Sequence, residues 1–228
     1  MASSNIDNEL LPEQTEGFKV GEKKTIDEYQ KLEKIPHGGH WDFAEEFNII
    51  AQPRLLLVRK NADDEAMQRY KRSLGLGGDG KDISDPNDPR QCIILSLTMD
   101  SQGREPVTID LSEKGSETTL KDKPFKIKEG TKFSMTAKFK VQHEILSGLH
   151  YVQIVKRKGI RVSKDQEMIG SYAPNTDKNP FYTKRFAEED APSGMLARGH
   201  YTAVSTFIDD DKKTHLQFEW AFDIAKDW

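Results

Sequence analysis

Lys132-Phe-Ser-Met-Thr-Ala-Lys-Phe-Lys-Val-Gln142 alternates apolar and polar side chains along most of its length. Phe133, Met135, Ala137, Phe139 and Val141 fall on one face, and Lys132, Ser134, Lys138 and Lys140 fall mostly on the other. Successive side chains of a strand point to opposite faces, so this stretch reads as a β-strand with one side in a core. The segments 92–99, 151–155, 199–208 and 215–224 read as strands as well. Turn signals punctuate them at Ser101-Gln-Gly103, Lys128-Glu-Gly130, Ser147-Gly148, Lys158-Gly159 and Asp209-Asp-Asp-Lys212. Short strands at this spacing, with no helix-length pattern between them, predict an all-β fold over 86–228, an antiparallel β-sandwich. That length is ample for one hydrophobic core.

Upstream, residues 1–85 are rich in charge, Gly, Asn and Gln, and their apolar residues are scattered. Such a segment cannot offset its ordering entropy by burial and reads as a flexible arm. Two stretches in it have helical signals. In Thr25-Ile-Asp-Glu-Tyr-Gln-Lys-Leu32, Thr25 and Glu28 have the spacing of a capping box. In Asp63-Asp-Glu-Ala-Met-Gln-Arg-Tyr-Lys-Arg-Ser-Leu74, acids open the helix, Lys71 and Arg72 close it, and Gly75 follows as a C-terminal stop. Met67, Tyr70 and Leu74 form one apolar stripe. At about three turns each, these helices need a surface to fold on. Between them, residues 34–60 resemble neither neighbour, with a loop at Ile35-Pro-His-Gly-Gly-His-Trp41 and an apolar patch at Leu55-Leu-Leu-Val58.

The charge balance narrows the function. The 228 residues carry 34 basic and 38 acidic side chains, a net charge of −4, where nucleic-acid binding wants a basic face. A mean hydropathy of −0.74 is polar for this size and agrees with an arm outside the core. One cysteine excludes a disulfide framework, and the first 14 residues lack the pattern of a secretory signal, so the chain reads as cytosolic. The unbroken aliphatic stretches are far shorter than the ~20 residues of a membrane span. No phosphate loop or nucleophile elbow is present, so the chain does not read as an enzyme. His37 and His40 lack a third ligand, and no metal or cofactor is expected. Cys92 reads as a buried structural thiol. The acidic clusters Glu188-Glu-Asp190 and Asp209-Asp-Asp211 read as turns, as a cation site, or as an attraction for a basic partner segment. The aromatic density of the C-terminal half fits a filled sandwich core or one hollowed for a lipid, and composition does not separate the two.

Longer blocks are more specific. Val141-Gln-His-Glu-Ile-Leu-Ser-Gly-Leu-His-Tyr151, Arg157-Lys-Gly159, Ile169-Gly-Ser-Tyr-Ala-Pro174 and Ala191-Pro-Ser-Gly-Met-Leu-Ala-Arg-Gly199 resemble the Rho GDP-dissociation inhibitor family. So does the stretch from Asp209-Asp-Asp-Lys212 through Phe218-Glu-Trp220 to Lys226-Asp-Trp228. The resemblance covers 86–228 almost without gaps and resumes at both candidate helices. It implies an immunoglobulin-like sandwich that holds the geranylgeranyl tail of a prenylated Rho- or Rac-type small GTPase in its GDP form. It implies too an arm that folds on the GTPase, slows GDP release and accompanies extraction from membranes, in a one-to-one complex with a monomeric inhibitor. By the same resemblance, Met99, Phe125, Phe133, Ile145, Leu196, Ala203 and Trp220 line the prenyl site. Asp64, Met67, Tyr70 and Leu74 meet the GTPase, and Glu189, Asp190 and Asp211 meet the basic segment before its prenyl-cysteine. Thr25 stands where some relatives have a regulatory phosphoserine, whereas Pro124-Phe125 replaces another such serine.

Residues 34–60 depart from the family pattern and read as a retained intron or gene-model error, with a lineage-specific insertion as the other possibility. Loop closure grows only slowly in cost with length, so the expectation is weaker control of GDP release with prenyl binding preserved. Two rival readings stay open on the sequence: a prenyl-binding carrier without nucleotide control, and a plain sandwich scaffold.

Overall fold

A computed structural model describes residues 80–113 and 115–228, together with 9–13 and the single positions 25, 28 and 69. The chain divides into two compact units, one of Met1–Glu13 with Gly80–Trp228 and one of Gln14–Asp79. Among the described residues no helix is long and apolar enough to cross a membrane.

The first unit contains ten strands: β1 (Cys92–Ser101), β2 (Val107–Asp110), β3 (Phe125–Lys128), β4 (Lys132–Val141), β5 (Leu146–Arg157), β6 (Ile160–Tyr172), β7 (Tyr182–Arg185), β8 (Glu189–Asp190), β9 (Gly199–Ile208) and β10 (Thr214–Ala225). They form two five-stranded sheets. One runs β2-β1-β4-β7, with β8 also paired to β4, and the other runs β3-β10-β9-β5-β6. A short 3-10 helix, Ser116–Asp122, lies between β2 and β3. The all-β sandwich read from the sequence is therefore the observed architecture. β4 occupies the opening stretch, with Met135, Ala137, Phe139 and Val141 buried as the alternation requires. Leu97 and Met99 of β1 and Phe207, Phe218 and Trp220 of β9 and β10 join the same core.

Three features differ from the sequence reading. β2, β3, β6, β7 and β8 were not among the expected strands: four of them are no longer than four residues, and β6, charged along much of its length, is a sheet edge paired only to β5 among the described residues. Ser147-Gly148 is not a turn. It lies inside β5, where the pairing with β6 slips between Leu146 and Leu149, and Gly148 has φ +55°. Finally, β3 pairs with β10 in parallel, Phe125 opposite Phe222, within an otherwise antiparallel pair of sheets.

The sandwich unit reaches upstream of the expected boundary at residue 86. Residues 81–85 are tied to it through the Lys81 amide on Asp177 Oδ1 (2.8 Å), the Ile83 amide on the Asn175 carbonyl (3.2 Å) and the Asp85 amide on Gln142 Oε1 (3.0 Å).

Candidate functional site

The inward side chains do not fill the whole space between the sheets. Near the ends of β5 and β10 and the starts of β4 and β9 lies a cavity of about 370 Å³, within the size range of small-molecule sites. Met99, Phe133 and Met135 line it from the first sheet; Tyr151, Gln153, Val155, Tyr201, Trp220 and Phe222 line it from the second. Its wall is a run of rings. Trp220 stacks on Phe125 at 5.2 Å and lies 5.3 Å from Phe222, which stacks on Tyr201 at 5.2 Å.

Four polar groups sit in or behind this apolar wall, and three hydrogen bonds link them. Trp220 Nε1–H donates to Ser205 Oγ (2.8 Å), and the Tyr151 hydroxyl donates to Gln153 Oε1 (2.7 Å). Since the tyrosine has one proton, the 2.8 Å contact between Tyr151 and Ser205 runs from the serine hydroxyl to the phenol oxygen. Burial pushes the Tyr151 phenol well above its ordinary pKa and keeps it neutral. The outcome is a relay from Trp220 through Ser205 and Tyr151 to Gln153. It holds the indole ring in place and pairs the indole, serine and tyrosine donors within the wall.

Such a cavity, next to the sequence blocks that surround it, admits a family comparison. Residues 3–227 match the family of RHO protein GDP dissociation inhibitors. The chain belongs to that family. The Rho GDP-dissociation inhibitor of Schizosaccharomyces pombe is 41% identical over 209 residues, covering 92% of this chain and 86% of that protein. The Rho GDP-dissociation inhibitor of Saccharomyces cerevisiae is 38% identical over 230 residues, covering 99% and 100%. Human Rho GDP-dissociation inhibitor 1 is 39% identical over 166 residues, covering 73% of this chain and 78% of its own.

In this Rho GDP-dissociation inhibitor family member the mouth of the cavity is acidic. Asp165 and Glu167 of β6 stand there with Glu189 and Asp190 of β8. Partial desolvation of its carboxyl, then repulsion from Asp165 and Glu167, raises Glu189 above its ordinary value although the residue is exposed. Of the nearby cations, Lys132 pairs with Glu188 at 3.1 Å, and Lys184 reaches Glu167 of the mouth itself only at 4.0 Å. Arg157 also faces the cavity, but its guanidinium donates to the carbonyls of Leu196 and Arg198 and tethers the 192–198 loop.

The structure sorts the expected site residues. Met99, Phe133, Trp220, Glu189 and Asp190 converge on the cavity. Phe125 backs it through its stack on Trp220, and Ala203 lies in the packed core, opposite Trp220 on one side and Val155 on the other. Leu196 is 89% exposed on the tethered loop. Ile145 and Asp211 are not brought to the cavity. Gln91 Nε2 donates to the Ile145 carbonyl, and the Asp210 amide donates to Ser147, which places both residues at the other end of the strands. Seven residues of β9, roughly 23 Å at strand rise, separate Tyr201 from Ile208 at the start of that turn. There Asp209 accepts from His215 Nε2 (2.8 Å) and the Lys213 amide (2.9 Å), and Asp210 contacts His150 (3.1 Å), so these acids serve the turn.

Thr25 and Glu28 form the reciprocal capping box. The Thr25 amide donates to Glu28 Oε2 (2.7 Å), and the Glu28 amide donates to Thr25 Oγ1 (3.3 Å). Asp64, Met67, Tyr70, Leu74, His37, His40 and the segment 34–60 lie outside the described residues. Cys92 is buried, as expected, and its thiol is pushed far up by desolvation. Sequence reasoning passed over Asp165 and Glu167 because β6 went unrecognised. It passed over the relay because Tyr151, Gln153 and Ser205 carry no motif.

Proposed function

We propose that this family member binds a prenylated, GDP-loaded Rho-type GTPase, slows its GDP release and draws it from membranes into the cytosol, acting by binding and not by catalysis. The observation that carries the reading is the cavity. It is ring-walled, the Trp220, Ser205 and Tyr151 donors in its wall are paired, and it opens beside carboxylates. A C20 prenyl chain gains on the order of 10 kcal/mol on leaving water, so a protein site must be comparably dry to compete with a bilayer. Glu189 and Asp190, joined by Asp165 and Glu167, suit the basic segment that precedes a prenyl-cysteine. The exposed Leu196 beside the mouth is available to close over the lipid. In the arm, Asp64, Met67, Tyr70 and Leu74 supply the face laid on the GTPase, helix in groove.

Liposome extraction tests this. Prenylated, GDP-loaded Rho-type GTPase on vesicles is mixed with the protein, and released GTPase is measured after sedimentation. Stoichiometric release is expected, weakened at least ~10-fold by Trp220→Ala, which removes an aromatic wall. Asp64→Ala is expected to weaken both release and inhibition of GDP loss. Release that responds to Trp220→Ala alone would assign a lipid carrier instead, and no release would return the cavity to a packing defect.

A further inference from the structure

The outer face of the second sheet, away from the cavity, is apolar where β5 meets β9. Val152 and Ile154 of β5 and Ile208 of β9 are no more than 2% exposed, with Val204 packed beside them. What excludes water there is a distant piece of the chain, Glu9-Leu-Leu-Pro-Glu13. Leu10 is 2% exposed within that cluster, and Leu11 packs against it. The flanking polar groups fit as well. Glu9 pairs with Arg161 (3.3 Å), and Lys164 Nζ reaches both the Leu11 carbonyl (3.2 Å) and Glu13 (3.3 Å). The Glu13 amide donates to Gln166 Oε1 (2.8 Å), and Gln166 Nε2 returns a bond to the Glu13 carbonyl (3.4 Å). Arg161, Lys164 and Gln166 all belong to the edge strand β6.

We propose that this groove is a built docking site for an acidic, Leu-Leu-Pro-containing segment, and that residues 9–13 occupy it as a strap in the free protein. The consequence is topological. The chain leaves the sandwich unit at Glu13 and re-enters it at Gly80, so residues 14–79 are joined to that unit at both ends and not at one. Closing a chain lowers the volume its middle explores and raises its effective concentration at a site near the anchors. Resting on the reading that the arm contacts the GTPase, the strap strengthens that contact without touching the partner. The strap also covers an outer sheet face that would otherwise expose apolar surface.

The test uses the full-length protein. Amide exchange at residues 9–13, with the Glu13 amide as the main probe, is compared for wild type, Leu10→Asp, and Glu9→Lys with and without Arg161→Glu. Inhibition of GDP release and binding of a geranylgeranylated cysteine peptide are measured alongside. Leu10→Asp is expected to speed exchange of the Glu13 amide ~10-fold or more, since a buried leucine is replaced by a charge. It is expected to weaken inhibition of GDP release by roughly 3- to 10-fold, with peptide binding unchanged. Glu9→Lys is expected to loosen the strap and Arg161→Glu to restore it. Exchange at Glu13 that is equally fast in wild type and Leu10→Asp overturns the docked strap. Faster exchange with undiminished inhibition overturns its role in holding the arm. A wild-type chain that inhibits nothing overturns the arm's role in the proposed function, while a protected Glu13 amide would still establish the strap itself.

Discussion

At Glu189 a cost to stability meets the proposed contact with a basic segment. Partial desolvation and the carboxylate neighbours Asp165 and Glu167 raise the folded pKa of Glu189 above the ordinary value. At neutral pH the folded protein therefore holds a charge that the unfolded chain accommodates more easily. Glu189→Gln is expected to raise the melting temperature at pH 7. Because a raised carboxyl pKa favours the folded state as the group protonates, that advantage should vanish as pH falls through Glu189's folded value. Melting curves of both proteins from pH 7 to pH 4 check the sign. The same variant should weaken capture of a prenylated peptide with a basic stretch more than one without it. Glu189 and Asp190 were legible as a possible basic-segment contact, but their partners on β6 were not. Nothing in a polar stretch shows which neighbour it will pair with, and the acidic mouth exists only once β6 and β8 are brought to the same rim.

At the scale of elements, β5 is the strand on which the sandwich turns. Its inward residues Tyr151, Gln153 and Val155 line the cavity, and its outward residues Val152 and Ile154 carry the strap. The segment 151–155 read as a strand in the sequence, and Val152 and Ile154 opposite Tyr151 and Val155 were the available signal that both faces are covered. The irregular start of β5 carried a misleading sign, since Ser-Gly reads as a turn. A glycine there is required for two reasons: its φ is +55°, and a Cβ would collide with the carboxylate of Asp210. Gly148→Ala is expected to cost at least about 2 kcal/mol, from left-handed backbone strain plus the clash, as read by urea denaturation. A loss under about 0.5 kcal/mol would mean that the bulge relaxes freely. The long-range reason for the glycine, the approach of the β9–β10 turn, was invisible in the local sequence.

Across the whole chain, the sandwich unit is interrupted between Glu13 and Gly80. Deleting residues 34–60 leaves both candidate helices and the sandwich intact, so it isolates the inserted segment. The expected result is stronger inhibition of GDP release, by about 2- to 5-fold on the slow logarithmic dependence of loop closure, with prenyl-peptide affinity unchanged. Equal potency in nucleotide-release assays would show that the segment loops out without effect. Sequence blocks were enough to place the chain in its family, and alternation was enough for the two-layer β fold, because both are local or contiguous signals. The capping box at Thr25 and Glu28 was legible for the same reason: its two partners lie three residues apart. What tertiary structure alone decided is where distant residues meet. It placed Ile145 and Asp211 at the far end from the cavity and joined Trp220 to Gln153 through Ser205 and Tyr151. It also set Leu10 against Val152 and Ile154. Strand register and sheet packing fix those meetings, and a period-two pattern specifies a strand's faces without naming the residues that will face them.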